Sequence, residues 1–222
     1  MIQCPFPKLH RKSHRTIGIL LVFLLSSFFI PHVIVAAKQD QIRWNKKYST
    51  EKYLFGREAI PFLQTHVDLL PKGQVLDLAM GEGRNGVFLA TKGFEVTGVD
   101  ISRQGLKKAE ALAAEHGTTI TTLVVDLESY EIPPNTFDVI ISTYFLQRNL
   151  FPKIAAALKP GGMALIETYT IDHLQYQSRF NKAWLLEQNE LLTLLPGLQV
   201  LRYQEVDTGH TAFASILAQK PR

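Results

Sequence analysis

Twelve residues constrain this chain more than any other stretch: Val75-Leu-Asp-Leu-Ala-Met-Gly-Glu-Gly-Arg-Asn-Gly86. Val75, Leu76 and Leu78 form a short apolar run of the kind buried in a parallel sheet. A glycine turn follows at once, and Val87, Phe88, Leu89 and Ala90 continue as the apolar side of a helix. Strand, glycine turn and helix together open a nucleotide-binding α/β unit. Gly81 and Gly83 let the backbone approach a ligand, because no Cβ intervenes. The helix expected from about Arg84 points free N–H groups and a partial positive charge at that ligand. The spacing Gly81-x-Gly83-x-x-Gly86 fits a dinucleotide fingerprint as well. Asp77 sharpens the choice: a carboxylate in the strand before the turn would repel a pyrophosphate, whereas it suits a cationic or amino-bearing ligand.

The flanking pattern repeats the alternation of helix and strand. Pro61–Leu70 reads as a helix broken by Pro71-Lys72-Gly73. Phe94–Asp100 reads as a second strand ending in an acid, the place from which ribose hydroxyls are held in Rossmann-type folds. Ser102 is a fitting N-cap for a helix that Gly117 ends. Thr119–Val125 is β-branched and predicts strand three, with Asp126 just beyond it. Phe137–Thr143 predicts a buried fourth strand whose carboxyl end, Thr143 to Arg148, faces the ligand crevice. Leu150–Leu158 predicts a helix, Leu158-Lys-Pro-Gly-Gly162 a turn, and Met163–Thr168 strand five. Trp184–Leu195 reads as a helix, and Leu198–Val206 and Thr211–Gln219 as two strands joined across Asp207–His210.

V-L-D-L-A-M-G-E-G-R-N-G resembles motif I of class I S-adenosylmethionine-dependent methyltransferases, and L-K-P-G-G at 158–162 is a second likeness to that family. The resemblance runs from about Trp44 to Lys220, with a flavour of the small-molecule group that includes tellurite and thiopurine methyltransferases. It implies a Rossmann-like three-layer α/β sandwich with a mostly parallel seven-stranded sheet and an antiparallel last strand, which a terminal hairpin suits. It implies S-adenosylmethionine as cofactor. Asp77 would lie near its ammonium, Asp100 at the ribose, and Asp126 and the Leu127 amide at the adenine. Ala79, Gly81, Gly83, Asn85, Ile101 and Thr143 complete the expected cofactor contacts. The family pattern has glycine where Ala79 stands, which puts the tightness of the first turn in question.

The formal charge of +4 comes from the N-terminus. Residues 1–37 hold Lys8, Arg11, Lys12 and Arg15 and no acid; 24 basic residues less these 4 equal the 20 acids, so the remainder is neutral. No basic patch for nucleic acid is expected. Cys4 is the sole cysteine, so no intrachain disulfide can form. Thr16 to Ala37 carries no formal charge, and Ile17–Ile30 is almost wholly apolar. Three readings compete: a membrane anchor touching lipid through residues 17–37, a signal peptide cleaved near Ala37, or a translation start placed too early. Residues 1–37 are therefore set apart from a methyltransferase domain at 38–222. The cofactor's site of synthesis favours a cytoplasmic domain; cleavage would mean export. Lys38–Phe55, with Trp44, Tyr48 and Tyr53, predicts a short amphipathic helix ahead of a turn at Gly56, either covering the cofactor or packing on the core.

The implied reaction is in-line methyl transfer to a small molecule, in which orientation does most of the work. A soft nucleophile needs no base; a hydroxyl or ammonium does. Acceptor-side candidates are Tyr144, Gln147, Tyr169 and His173. No Cys/His spacing suggests a metal, and no serine sits in a strand–helix elbow. A nicotinamide-dependent oxidoreductase is the rival enzyme, opposed by Asp77, Asp126 and the terminal hairpin. A membrane-tethered binding module without catalysis is the rival outside enzymes.

Overall fold

The computed structural model describes residues 32–222, with side chains from residue 38. The charged head and the apolar run Ile17–Ile30 lie outside these residues. Val35, Ala36 and Ala37, the small residues at the expected cleavage point, fall inside helix α1 (His32–Tyr48). Among the described residues no helix is long and apolar enough to cross a membrane.

Seven strands form a single sheet: β1 (Gln74–Leu78), β2 (Glu95–Asp100), β3 (Thr121–Val124), β4 (Phe137–Thr143), β5 (Leu158–Tyr169), β6 (Gln199–Asp207) and β7 (Ala212–Gln219). Their order is β3-β2-β1-β4-β5-β7-β6, and only β7 runs against its neighbours. The strand order reverses between β1 and β4, the switch point at which open α/β sheets bind ligands.

Side chains alternate across the strands, and two cores result. Leu76, Leu78, Ile140 and Ile166 pack on one face beneath α5 (Leu150–Ala157) and α6 (Leu191–Leu194). Val75, Val139, Ile141 and Leu165 pack on the other beneath α2 (Pro61–His66), α3 (Arg84–Thr91) and α4 (Arg103–Glu115). This is the three-layer sandwich expected. Ser102 caps α4 by accepting the Gly105 amide at 3.2 Å.

Three expectations change. The helix predicted over Trp184–Leu195 shrinks to α6, because Leu185 is extended, Leu186 bridges Thr170, and Asn189 takes a left-handed φ of 60°. The Leu-Lys-Pro-Gly-Gly turn is absorbed into β5, with an irregular register against β4 between Phe137 and Val139. The N-terminal helix ends at Tyr48 rather than near Phe55, and residues beyond it cross the glycine turn as irregular chain.

Candidate active site

The site is built at the carboxyl ends of β1, β2, β4 and β5. After β1 the chain turns through Ala79, which adopts a left-handed φ of 55° despite its Cβ. The alanine in place of the family's glycine therefore keeps the turn at a cost of about 1–2 kcal/mol. Gly83, at φ 88°, starts α3, and a Cβ there would lie 2.5 Å from that of Ala109. Asn85, in the first turn of α3, is buried between the Ile60 amide (3.0 Å) and the Thr143 hydroxyl (2.8 Å), tying the helix to the end of β4.

Asp77 is 2% exposed, and its Oδ2 has no hydrogen-bond partner. Burial, then the nearby charge of Asp100, pushes its carboxyl up to about 8 against the pull of the Gly86 amide. Gly86 leaves the room: a Cβ there would lie 2.8 Å from that Oδ2. Asp100 is buried as well, and it clamps two turns by accepting the Gly81 amide at 2.8 Å and the Ser102 amide at 2.7 Å. Burial raises its carboxyl above the usual range although these amides oppose it. Ile101 follows, its carbonyl accepting from Gln41 of α1 at 3.2 Å. Asp126 stands beyond β3, half-buried, and accepts the Glu128 amide at 3.0 Å; Leu127 is buried in the core. Asp77 and Asp100 thus meet at the glycine turn, whereas Asp126 orders its own turn after the neighbouring strand.

The acceptor end holds a row of rings. Tyr144 follows β4 in a left-handed conformation, φ 56°, of the kind stored at functional sites. Its ring lies 5.5 Å from the Arg84 guanidinium and 4.8 Å from Tyr169. Tyr169 stacks on His173 at 4.1 Å, and Phe180 meets the edge of both. Gln147 is half-buried, and its carbonyl accepts the Leu150 amide at the start of α5. The structure joins Tyr144, Tyr169 and His173 into this row and gives Gln147 no contact with it.

Composition and spacing did not reveal Glu167, and they marked Arg84 only as a helix start and Tyr48 only as one aromatic of the 38–55 segment. Glu167 is 1% exposed; its carboxylate accepts from Ser215 Oγ at 2.7 Å, and the nearby Tyr144 hydroxyl favours its charged form. Burial raises it above the usual carboxylate range. An acid inside the apolar strand Leu165-Ile166-Glu167 is the same signal that marked Asp77. Tyr48 of α1 lies over the glycine turn, where a Cβ on Gly81 would meet its hydroxyl at 2.8 Å. Glu82, buried in that turn, accepts the Leu54 amide (2.7 Å) and Lys108 Nζ (2.6 Å), which fastens the crossing segment.

Residues 75–162 match a family model described as a methyltransferase domain. Residues 75–162 are a methyltransferase domain, set in the class I fold. The cofactor of that class is S-adenosylmethionine, and the orphaned, buried Asp77 oxygen is a fitting partner for its cationic end. A ubiquinone biosynthesis O-methyltransferase of Idiomarina loihiensis is 34% identical over 131 residues, covering 56% of this chain and 51% of the relative. Its counterpart in Rickettsia conorii is 25% identical, covering 70% and 60%. The chain thus spans roughly half to three-fifths of these relatives' length. Among solved structures, a magnesium protoporphyrin IX methyltransferase of Synechocystis aligns with a TM-score of 0.61 at 17% identity, covering 84% of this chain and 98% of that one. The TehB protein of Haemophilus influenzae aligns with a TM-score of 0.62 at 22% identity, covering 81% and 66%. At such identities the likeness speaks for the fold, and the tellurite or thiopurine subgroup is not singled out.

Proposed function

We propose that this chain transfers the methyl group of S-adenosylmethionine to an oxygen of a small-molecule acceptor. Residues 38–222 act as the catalytic domain in this reading, and residues 1–37 as an N-terminal appendage that brings it to a membrane through the apolar run. The site of cofactor synthesis favours a cytoplasmic domain. The observation that carries the reading is the unpartnered, buried Asp77 oxygen beside the glycine turn of a methyltransferase domain. A buried carboxyl oxygen without a partner is costly, and an ammonium group relieves that cost.

Asp77 would hold the cofactor's ammonium and Asp100 its ribose. Asp126 and Leu127 would flank the adenine, with Ala79, Gly81, Gly83, Asn85, Ile101 and Thr143 shaping the path. The bound cofactor supplies an activated methyl group on a good leaving group. The names of the two relatives favour an oxygen acceptor, and a hydroxyl nucleophile must lose its proton. Tyr144 can take that proton on its free lone pair while its own proton passes to Glu167. Arg84 stabilises the negative charge of this pair.

Calorimetric titration with S-adenosylmethionine tests the reading. The wild-type chain should bind, and Asp100→Ala should weaken binding at least tenfold, with circular dichroism checking the fold because two buried amides lose their acceptor. Absence of binding by folded wild-type protein would overturn the proposal.

A further inference from the structure

His173 is 2% exposed, and its Nε2 has no hydrogen-bond partner. Its Nδ1 faces the Ala212 amide at 3.5 Å and the Thr211 hydroxyl at 3.3 Å. An amide N–H can only donate, so Nδ1 carries the lone pair, and the proton of the neutral ring sits on Nε2. Burial lowers the ring's tendency to take a second proton. His173 therefore keeps a buried N–H donor with nothing to receive it, although native proteins satisfy nearly all such groups.

The surroundings say what would satisfy it. Tyr169 covers one face of the imidazole, and Phe180 stands edge-on at 5.5 Å. Phe180 also lines an open cleft of about 520 Å³, together with Tyr176, Arg179 and Trp184. That volume lies in the range of small-molecule sites. Phe180 thus belongs both to the cleft and to the rings packed on His173. Trp184 is 45% exposed at the rim, 5.6 Å from Arg43 of α1. Rings on each side select a flat ligand by stacking. A lone donor selects one that presents an acceptor oxygen.

Resting on the methyltransferase reading, we propose that this cleft binds a planar aromatic methyl acceptor carrying a hydrogen-bond-accepting oxygen, and that His173 Nε2–H is the donor that holds that oxygen. His173 is then a specificity-determining residue.

The test titrates catechol, benzoate and toluene into the full chain, with and without saturating S-adenosylhomocysteine. Tryptophan fluorescence reports binding, and heteronuclear NMR follows the His173 side-chain resonances. An oxygen-bearing arene should quench the fluorescence and shift the Nε2–H signal, and toluene should do neither. His173→Phe removes the unsatisfied donor but also the acceptor facing the Ala212 amide, so Tm and circular dichroism check its fold, and it should weaken binding of the oxygen-bearing probe at least tenfold. His173→Gln, which retains a donor, should restore part of it. Equal binding by His173→Phe, or no response of the wild-type His173 signal to either oxygen-bearing probe, overturns the proposal. Failure of S-adenosylhomocysteine to bind would instead strike the methyltransferase reading, and the arene titration without it still judges the cleft.

Discussion

Asp77 shows how a single side chain couples folding to ligand binding. Its folded-state carboxyl is raised to about 8, against about 3.9 in an unfolded chain. Between those values the folded protein holds the extra proton, so this group's contribution to stability falls as pH rises from about 4 to about 8. Asp77→Asn should remove that slope, stabilise the ligand-free protein at pH 7 by about 1–3 kcal/mol, and weaken S-adenosylmethionine binding at least tenfold, as read by thermal melts and calorimetry. Wild-type binding at pH 7 should release protons, visible as a binding enthalpy that changes with buffer ionisation heat. Glu167 separates chemistry from binding: Glu167→Gln should lower turnover of a hydroxyl acceptor by about 100-fold and leave S-adenosylmethionine affinity unchanged. Asp77 was legible as an acid within an apolar strand before a glycine turn. Glu167 carried the same local signal but had no turn after it, and its partners Tyr144 and Ser215 come from distant strands.

Among the elements, the segment after α1 depends on one buried ion pair. Glu82 and Lys108 meet at 2.6 Å with side chains 3% and 16% exposed, and Lys108 also donates to the Lys52 carbonyl at 2.7 Å. Removing one partner leaves the other charge buried. Lys108→Ala should therefore cost about 3 kcal/mol in denaturant unfolding and speed proteolysis between residues 49 and 58. The strands were legible because alternation and β-branched runs are local. The region 184–195 was misread because its leucines have helical spacing, yet the Thr170–Leu186 bridge and the left-handed Asn189 hold Leu185 and Leu186 extended. The end of α1 was misplaced for a related reason: Phe55 stands at the helical i+7 spacing from Tyr48, yet it reaches Tyr48 through irregular chain, its ring 6.4 Å away and its carbonyl accepting from Arg84.

At the scale of the molecule, the sheet supplies the floor and two connections supply the cover. Helix α1 closes over the glycine turn, the 171–184 connection closes over β5, and Arg43, between Trp44 and Trp184, joins them. A ligand bound beneath this cover should tighten the whole domain: S-adenosylhomocysteine at a hundredfold excess over its Kd should add about 2.7 kcal/mol of stability, seen as a raised Tm together with slower proteolysis in residues 49–58. The number of strands was legible from the spacing of elements, and the reversed last strand from the family likeness and the terminal hairpin. The cover was legible only in part: the 38–55 segment was expected over the cofactor or on the core, whereas the contacts that join it to the 171–184 connection link residues far apart in sequence and follow no periodicity. The hairpin also fixes where the chain leaves the domain. Lys220 pairs with Gly161 and Gly162 and grips the Asn135 side chain and the Leu158 carbonyl, all at the pole of the sheet away from the rings and aspartates. A protein immobilised or fused through Arg222 would keep its mouth turned outward.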